Sequence, residues 1–384
     1  MSNLNNPDAS GAAGFSEETN PLEGEVISNQ LVVLSPPPAL LNPVAGLSTA
    51  LDQPYFYPPL SKIFTPSDNV FIVLDHLFCT REDLLESILD RILQAGIEVH
   101  QITFLVENAT MEALLIAHLP ERFEEAIITV HERSNPNRNA IVAVSATGER
   151  ISFSRGLIDA DQIVVAGYAG IRAHRGPLGG CHQLWPGLAE KPSNGPQKVA
   201  FTKQFRPDYS KEIASSREAC WLLGAPFFIM ALPGKGGNPS QFIAGSDKAL
   251  DHAFTQKTSD SQVSPVPFKA GLARWTSLET IPFDQMVDAA CRLAEMLEPG
   301  SPIHLSLEGK EPSAQSIADL RLGGIPFGDT MARLWARILS KNTIHLWGSS
   351  QSELAKGLAV AFHPGSPDLT KEGPWLVLED GHWG

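Results

Sequence analysis

Asp161-Gln-Ile-Val-Val-Ala166 runs directly into Gly167-Tyr-Ala-Gly-Ile-Arg-Ala-His-Arg-Gly-Pro-Leu-Gly-Gly-Cys-His-Gln-Leu-Trp-Pro-Gly187. A short apolar run that enters a glycine-rich turn is how α/β folds build sites at the carboxyl ends of their strands. The loop carries Arg172, His174, Arg175, Cys181 and His182, a local excess of positive charge in a chain of net charge −14. Glycine lets backbone N–H groups approach a ligand. Arg172, Arg175 and the N–H groups of Gly179 and Gly180 therefore form a candidate cradle for a phosphate or carboxylate, with His174 and His182 as candidate proton-transfer groups. The competing reading is a surface loop whose basic residues pair with local acids.

Upstream of this loop the pattern is β-α-β. Val70-Phe-Ile-Val-Leu74 is a continuous apolar strand, Leu84, Leu85, Ile88, Ile92 and Leu93 fall at helical spacing, and Ile102-Thr-Phe-Leu-Val106 is the next strand. A helix between two such strands implies a right-handed parallel crossover. Thr80 with Asp83 reads as a capping box for that helix. Asp75 and His76 end the first strand, where such folds place catalytic side chains, with Thr80 and Arg81 just behind them. His76 has the chemistry of a general acid or base near neutral pH. A plainer role for Asp75 is to cap the helix that follows.

Further strands are expected over Ala126–His131, Ala140–Val144 and Pro226–Leu232, with Gly234-Lys-Gly-Gly237 as a tight turn and a helix over Lys211–Leu223. A polar stretch, 256–268, separates this rhythm from a second one, with strands near 272–275, 303–307, 343–347 and 375–378 and helices over 283–297 and 330–339. These patterns predict two α/β domains with parallel-type sheets and a ligand cleft between them. Residues 1–29 read as a flexible N-terminal tail, 30–265 as the first domain and 270–384 as the second. The proline clusters at 36–43 and 54–66 read as extended chain over the surface.

The acidic balance argues against nucleic-acid binding, which needs an excess of Lys and Arg. The 4 cysteines show no CxxC pairing and read as reduced thiols. With no apolar h-region at the start and no apolar run long enough to span a bilayer, the expectation is a cytoplasmic protein without a membrane partner. The scattered histidines His304, His345, His363 and His382 lack metal spacing, and His363 reads as a loop residue, so no metal site is expected.

Over residues 67–380 the residue order resembles the lactate-racemase-like family, whose members use a nickel-pincer nucleotide. The resemblance lies in Ile158-Asp-Ala-Asp-Gln-Ile-Val-Val-Ala-Gly-Tyr168, in Gly176, Gly179-Gly180 and Pro186-Gly187 of the loop, in Phe242-Ile-Ala-Gly-Ser-Asp-Lys-Ala-Leu-Asp-His252, and in Asp75. It implies a two-domain enzyme that racemises or epimerises 2-hydroxy acids by reversible hydride transfer to a pyridinium ring. In the family that ring is tethered to a lysine through a thioamide, a histidine helps to bind nickel, and two histidines trade the hydroxyl proton.

The reactive positions differ. The tether lysine falls on His182, the first loop histidine on Arg172, and the preceding Glu-Pro on Gly170 and Ile171. The Thr-Arg of the Asp motif falls on Leu77 and Phe78, unless a small shift brings in Thr80-Arg81. The histidine after the next strand has no counterpart in Asn108-Ala-Thr110, and no histidine lies between His182 and His252. The expectation is therefore a divergent member that does not run the nickel-pincer mechanism. It would bind a small anionic ligand, a 2-hydroxy acid or phosphate-like molecule, in the cleft and carry no cofactor. Two alternatives stay open. One is an active racemase or epimerase that attaches the nickel-pincer nucleotide in another way, and the other a non-catalytic interaction protein. A homo-oligomer is compatible with each.

Overall fold

The computed structural model describes residues 25–384 apart from 29–30, 134, 145–147, 149, 173–175, 189–199, 202–206, 209, 225, 250–267, 276–279, 282, 308–310, 313–329, 349–354, 357, 371–373 and 381–384. The chain enters as a short hairpin, β1 (Glu25–Ser28) and β2 (Leu31–Leu34). Past the first proline cluster it forms α1 (Pro43–Asp52), a helix between the two proline-rich stretches that was not expected. Asn42 starts this helix by accepting the Ala45 N–H at 3.0 Å, and Pro43 occupies the first helical position, where its missing N–H is no loss. Leu47 and Leu51 pay the helix back by complete burial.

β3 (Val70–Leu74) leads into α2 (His76–Thr80) and α3 (Glu82–Gln94), then β4 (Ile102–Val106), α4 (Ala109–His118) and β5 (Ile127–Val130). No capping box forms at α3. Thr80 Oγ1 donates back to the His76 and Leu77 carbonyls, and Asp83 is held by Arg81. A hairpin, β6 (Asn139–Val144) and β7 (Arg150–Ser154), precedes α5 (Arg155–Asp159) and β8 (Gln162–Tyr168). The glycine loop follows as β9 (Gly170–Arg172), β10 (Gly176–Leu178) and α6 (Cys181–Leu184). The unit ends with α7 (Ser210–Trp221), β11 (Phe227–Pro233) and its antiparallel partner β12 (Pro239–Gly245).

The first sheet runs β12-β11-β8-β3-β4-β5, parallel from β11 to β5. Its central strands are apolar on both faces because both faces are covered. Val70, Ile72 and Leu74 of β3 join Val164, Ala166, Phe227 and Ile229 against α1, α3 and α4. Val73 joins Val165, Phe228 and Met230 on the opposite face, with Phe153, Leu157, Leu184 and Ala219. From β3 the chain first builds outward through β4 and β5, then returns to the other side as β8 and β11. The strand order thus reverses between β3 and β8, where open α/β sheets place their ligands.

The second unit comprises β13 (Ala270–Arg274), α8 (Phe283–Met296), β14 (Ile303–Ser306), α9 (Thr330–Leu339), β15 (Ile344–Gly348), β16 (Ala361–Pro364) and β17 (Trp375–Glu379). Its sheet runs β1-β2-β17-β13-β14-β15-β16, and β2 pairs in parallel with β17. Residues 25–34 therefore depart from the expected boundary: they extend the second sheet, because the apolar Leu31-Val-Val-Leu34 supplies a strand for the open side of β17. His363 lies on β16 and not in a loop; its ring stacks on Trp347 across the parallel pair. The linker expected at 256–268 falls almost wholly outside the described residues. No helix among the described residues is long and apolar enough to cross a membrane.

Asn42→Ala should destabilise the protein by about 1 kcal/mol through loss of the α1 cap. Urea unfolding of the two proteins measures it, and an unchanged midpoint would show that the cap contributes nothing.

Candidate functional site

Asp75 occupies the reversal point. It ends β3 and caps α2, its Oδ1 accepting the Leu77 N–H at 3.0 Å and the Phe78 N–H at 3.4 Å. Its Oδ2 accepts the Tyr168 N–H at 2.6 Å, across to the end of β8. These bonds favour the carboxylate, but desolvation is the larger effect, and burial pushes the Asp75 carboxyl from 3.8 up to about 6. The approach is close because Gly167 has no side chain. A Cβ there would lie 2.5 Å from Gln183 Oε1 and 3.1 Å from Asp75 Oδ2.

Around this point the carboxyl ends of β3, β4, β8 and β11 and the segment after β5 enclose a cavity of about 720 Å³. Asp75, His76, Glu107, Arg133, His182 and Gln183 are its chemically active lining residues. Tyr168 also lines it, its hydroxyl donating to the Gly237 carbonyl. Burial and the neighbouring Asp75 charge push that phenol up to about 12, so it is neutral and donates. Among the described residues every lining residue belongs to the first unit, so this cavity is not the cleft expected between the two domains.

The loop after β8 folds back as the β9–β10 hairpin and delivers α6 to the cavity wall. Gly179, at φ +77°, could not carry a side chain, since a Cβ would lie 2.3 Å from the Tyr168 carbonyl oxygen. Part of the glycine pattern thus reflects how tightly the loop packs on the strand that precedes it. Beside Gly179 and Gly180, His182 Nε2 is buried with no hydrogen-bond partner among the described residues, as is Gln183 Oε1. The Gln183 amide donates to the Ala166 carbonyl at 3.2 Å, which sets its orientation. Burial, and secondarily the Arg217 charge, push His182 from 6.5 down to about 4, so its imidazole is neutral at ordinary pH.

The structure brings Asp75, His76, His182 and Gly179 to one cavity, with Gly180 beside it at the start of α6. Arg81 stays outside the lining, held by Asp83 through contacts of 2.9 and 2.7 Å. The backbone of Arg172 pairs with Gly176 in the hairpin. Its side chain, together with His174 and Arg175, lies outside the described residues. Sequence reasoning missed Glu107, Arg133 and Gln183. Glu107 directly follows the end of β4 and Arg133 lies three residues past the end of β5, so the carboxyl-edge rule that singled out Asp75 reaches them too.

Asp75 and His182 give opposite pH dependences. Asp75 is raised from 3.8 to about 6, so its contribution to stability is full below pH 3.8 and is lost as pH rises to about 6. His182 is lowered from 6.5 to about 4, so its contribution is full above pH 6.5 and is lost as pH falls to about 4. Between those limits, Asp75→Asn should make stability rise more steeply with pH than in the wild type. His182→Gln should make it rise less steeply, or fall. Thermal midpoints of the three proteins across this window check the signs; parallel profiles would exclude both shifts.

The lactate racemase N-terminal domain model matches residues 20–195. The fold is similar to the lactate racemase apoprotein from Thermoanaerobacterium thermosaccharolyticum, with a TM-score of 0.67 and 15% identity over 89% of this chain and 92% of that one. It is also similar to a structural-genomics target from Thermotoga maritima, with a TM-score of 0.53 and 12% identity over 88% of this chain and 96% of that one. No curated protein matches the chain by sequence. At these identities the solved structures speak to the fold alone: the chain has a lactate-racemase-like fold, and its residues 20–195 match the lactate racemase N-terminal domain.

Proposed function

We propose that this protein binds a small anionic ligand, a 2-hydroxy acid or phosphate-like molecule, in the cavity at the carboxyl ends of β3 and β8. We further propose that it does so without the tethered nickel-pincer nucleotide associated with its family. The observation that carries this reading is His182. It stands where the resemblance puts the tether lysine, it lines the cavity, and its Nε2 is buried with no hydrogen-bond partner among the described residues.

The donor set does not fit the nucleotide. A thioamide tether needs a primary amine, and among the described residues no lysine lines the cavity. Among them, too, no three His, Cys, Asp or Glu side chains stand close enough together to hold a metal ion. Proton exchange is equally poorly served. With its pKa near 4, His182 is a weak base at neutral pH, and the Asp75 oxygens are taken by three backbone N–H groups, which leaves His76 as the other histidine among the described lining residues. Racemisation needs a base on each face of the reacting carbon, so these residues favour binding over turnover.

The cysteines among the described residues, Cys79, Cys181, Cys220 and Cys291, are free and buried, which suits a reducing, cytoplasmic setting.

Sodium lactate, glycolate or inorganic phosphate should raise the melting temperature. Saturation at a hundred times Kd corresponds to about 2.7 kcal/mol of stabilisation. The protein as isolated should show the mass of the unmodified chain and no stoichiometric nickel. A covalent adduct, bound nickel or interconversion of D- and L-lactate would overturn this reading in favour of an active racemase.

A further inference from the structure

We propose that Arg133 is the anion anchor of the cavity and that Glu107 is its built-in competitor, a proposal that rests on the binding reading above. Among the described residues, Arg133 is the lysine or arginine that lines the cavity. It reaches the site from the segment after β5, and Glu107 from the segment after the adjacent β4; the two strands are in register up to the pair Val106 and Val130. Neighbouring parallel strands thus deliver opposite charges to the same edge.

Arg133 makes its hydrogen bonds through one nitrogen. Nη2 donates to Glu107 Oε1 at 3.0 Å and to the Gly187 carbonyl, in the loop that follows α6. The guanidinium has five N–H groups, and those on Nε and Nη1 bond to none of the described residues. Gly187 can offer only a neutral carbonyl. It orients the guanidinium and leaves its charge uncompensated; among the described residues the carboxylate that pairs with that charge is Glu107.

Glu107 is poorly placed to keep its partner. Its side chain is 59% exposed and that of Arg133 is 34% exposed. An ion pair this wet stabilises little, and Glu107 can swing into water with small loss. A ligand carboxylate inside the cavity meets Arg133 in a drier setting, where a charge-assisted hydrogen bond is stronger. The Gly187 contact does not depend on Glu107, so the guanidinium stays oriented through the exchange. Glu107 thereby sets a threshold: a neutral molecule cannot displace it, whereas a carboxylate can.

The test measures binding of sodium lactate, with neutral lactamide as the control, by calorimetry on wild type, Arg133→Gln and Glu107→Gln. Lactate but not lactamide should bind the wild type. Arg133→Gln should weaken lactate binding by roughly tenfold or more. Glu107→Gln, which removes the competing charge and keeps the side-chain shape, should tighten it several-fold and reduce its sensitivity to salt. Thermal melts confirm that each variant is folded, and the gain in Glu107→Gln cannot come from misfolding. Lactate binding that is unchanged in Arg133→Gln, or weakened in Glu107→Gln, overturns the anchor and competitor roles while the binding reading survives. A wild type that binds neither lactate, glycolate nor phosphate overturns both.

Discussion

The carboxyl edge of the first sheet is held by one side chain. Asp75 joins three pieces of backbone that the chain reaches at very different times: the end of β3, the first turn of α2 and the end of β8, 93 residues away. Each bond satisfies an N–H that would otherwise sit at the mouth of the cavity without a partner. The arrangement requires the space left by Gly167, because any side chain there would push apart the Asp75 carboxyl and the Gln183 amide. That carboxyl, the bare glycine beside it and the inward path of α6 form one unit, and the cavity is the space they leave.

The same burial that closes this edge sets its chemistry. It raises the Asp75 acid and lowers the His182 base, so both groups are driven toward their uncharged forms. Fixed positive charge enters from the rim through Arg133, where solvent still reaches the guanidinium. A partly desolvated floor that disfavours charge thus lies beneath a cationic rim.

Much of this was legible in the chain. The strands at 70–74, 102–106 and 227–233 could be read because each is buried on both faces and so needs an unbroken apolar run. Asp75 and His182 could be read because the edge rule and the glycine loop pointed to them. α1 was hidden by its prolines: Pro43 marks a helix start as readily as an extended run, and the Asn42 cap was the better signal. Arg81 misled for a different reason. Its distance along the chain from Asp75 is short, but the direction of α3 pairs it with Asp83 instead. The partnership of Arg133 with Gly187 spans 54 residues, a separation at which no local pattern reports contact.

By itself the sequence determined the alternation of strands and helices, the glycines that allow the loop after β8 to close on its own strand, and the absence of a lysine at position 182. These follow from local propensity, apolar periodicity and backbone sterics, which act over a few residues. Only the tertiary structure decided that residues 25–34 complete the second sheet and that Asp75 reaches across to Tyr168. It alone decided that Arg81 stays outside the cavity while Arg133 enters it, and that His182 loses its water. Those outcomes depend on which strand ends become neighbours and which atoms are screened from solvent, and both are properties of the packed molecule.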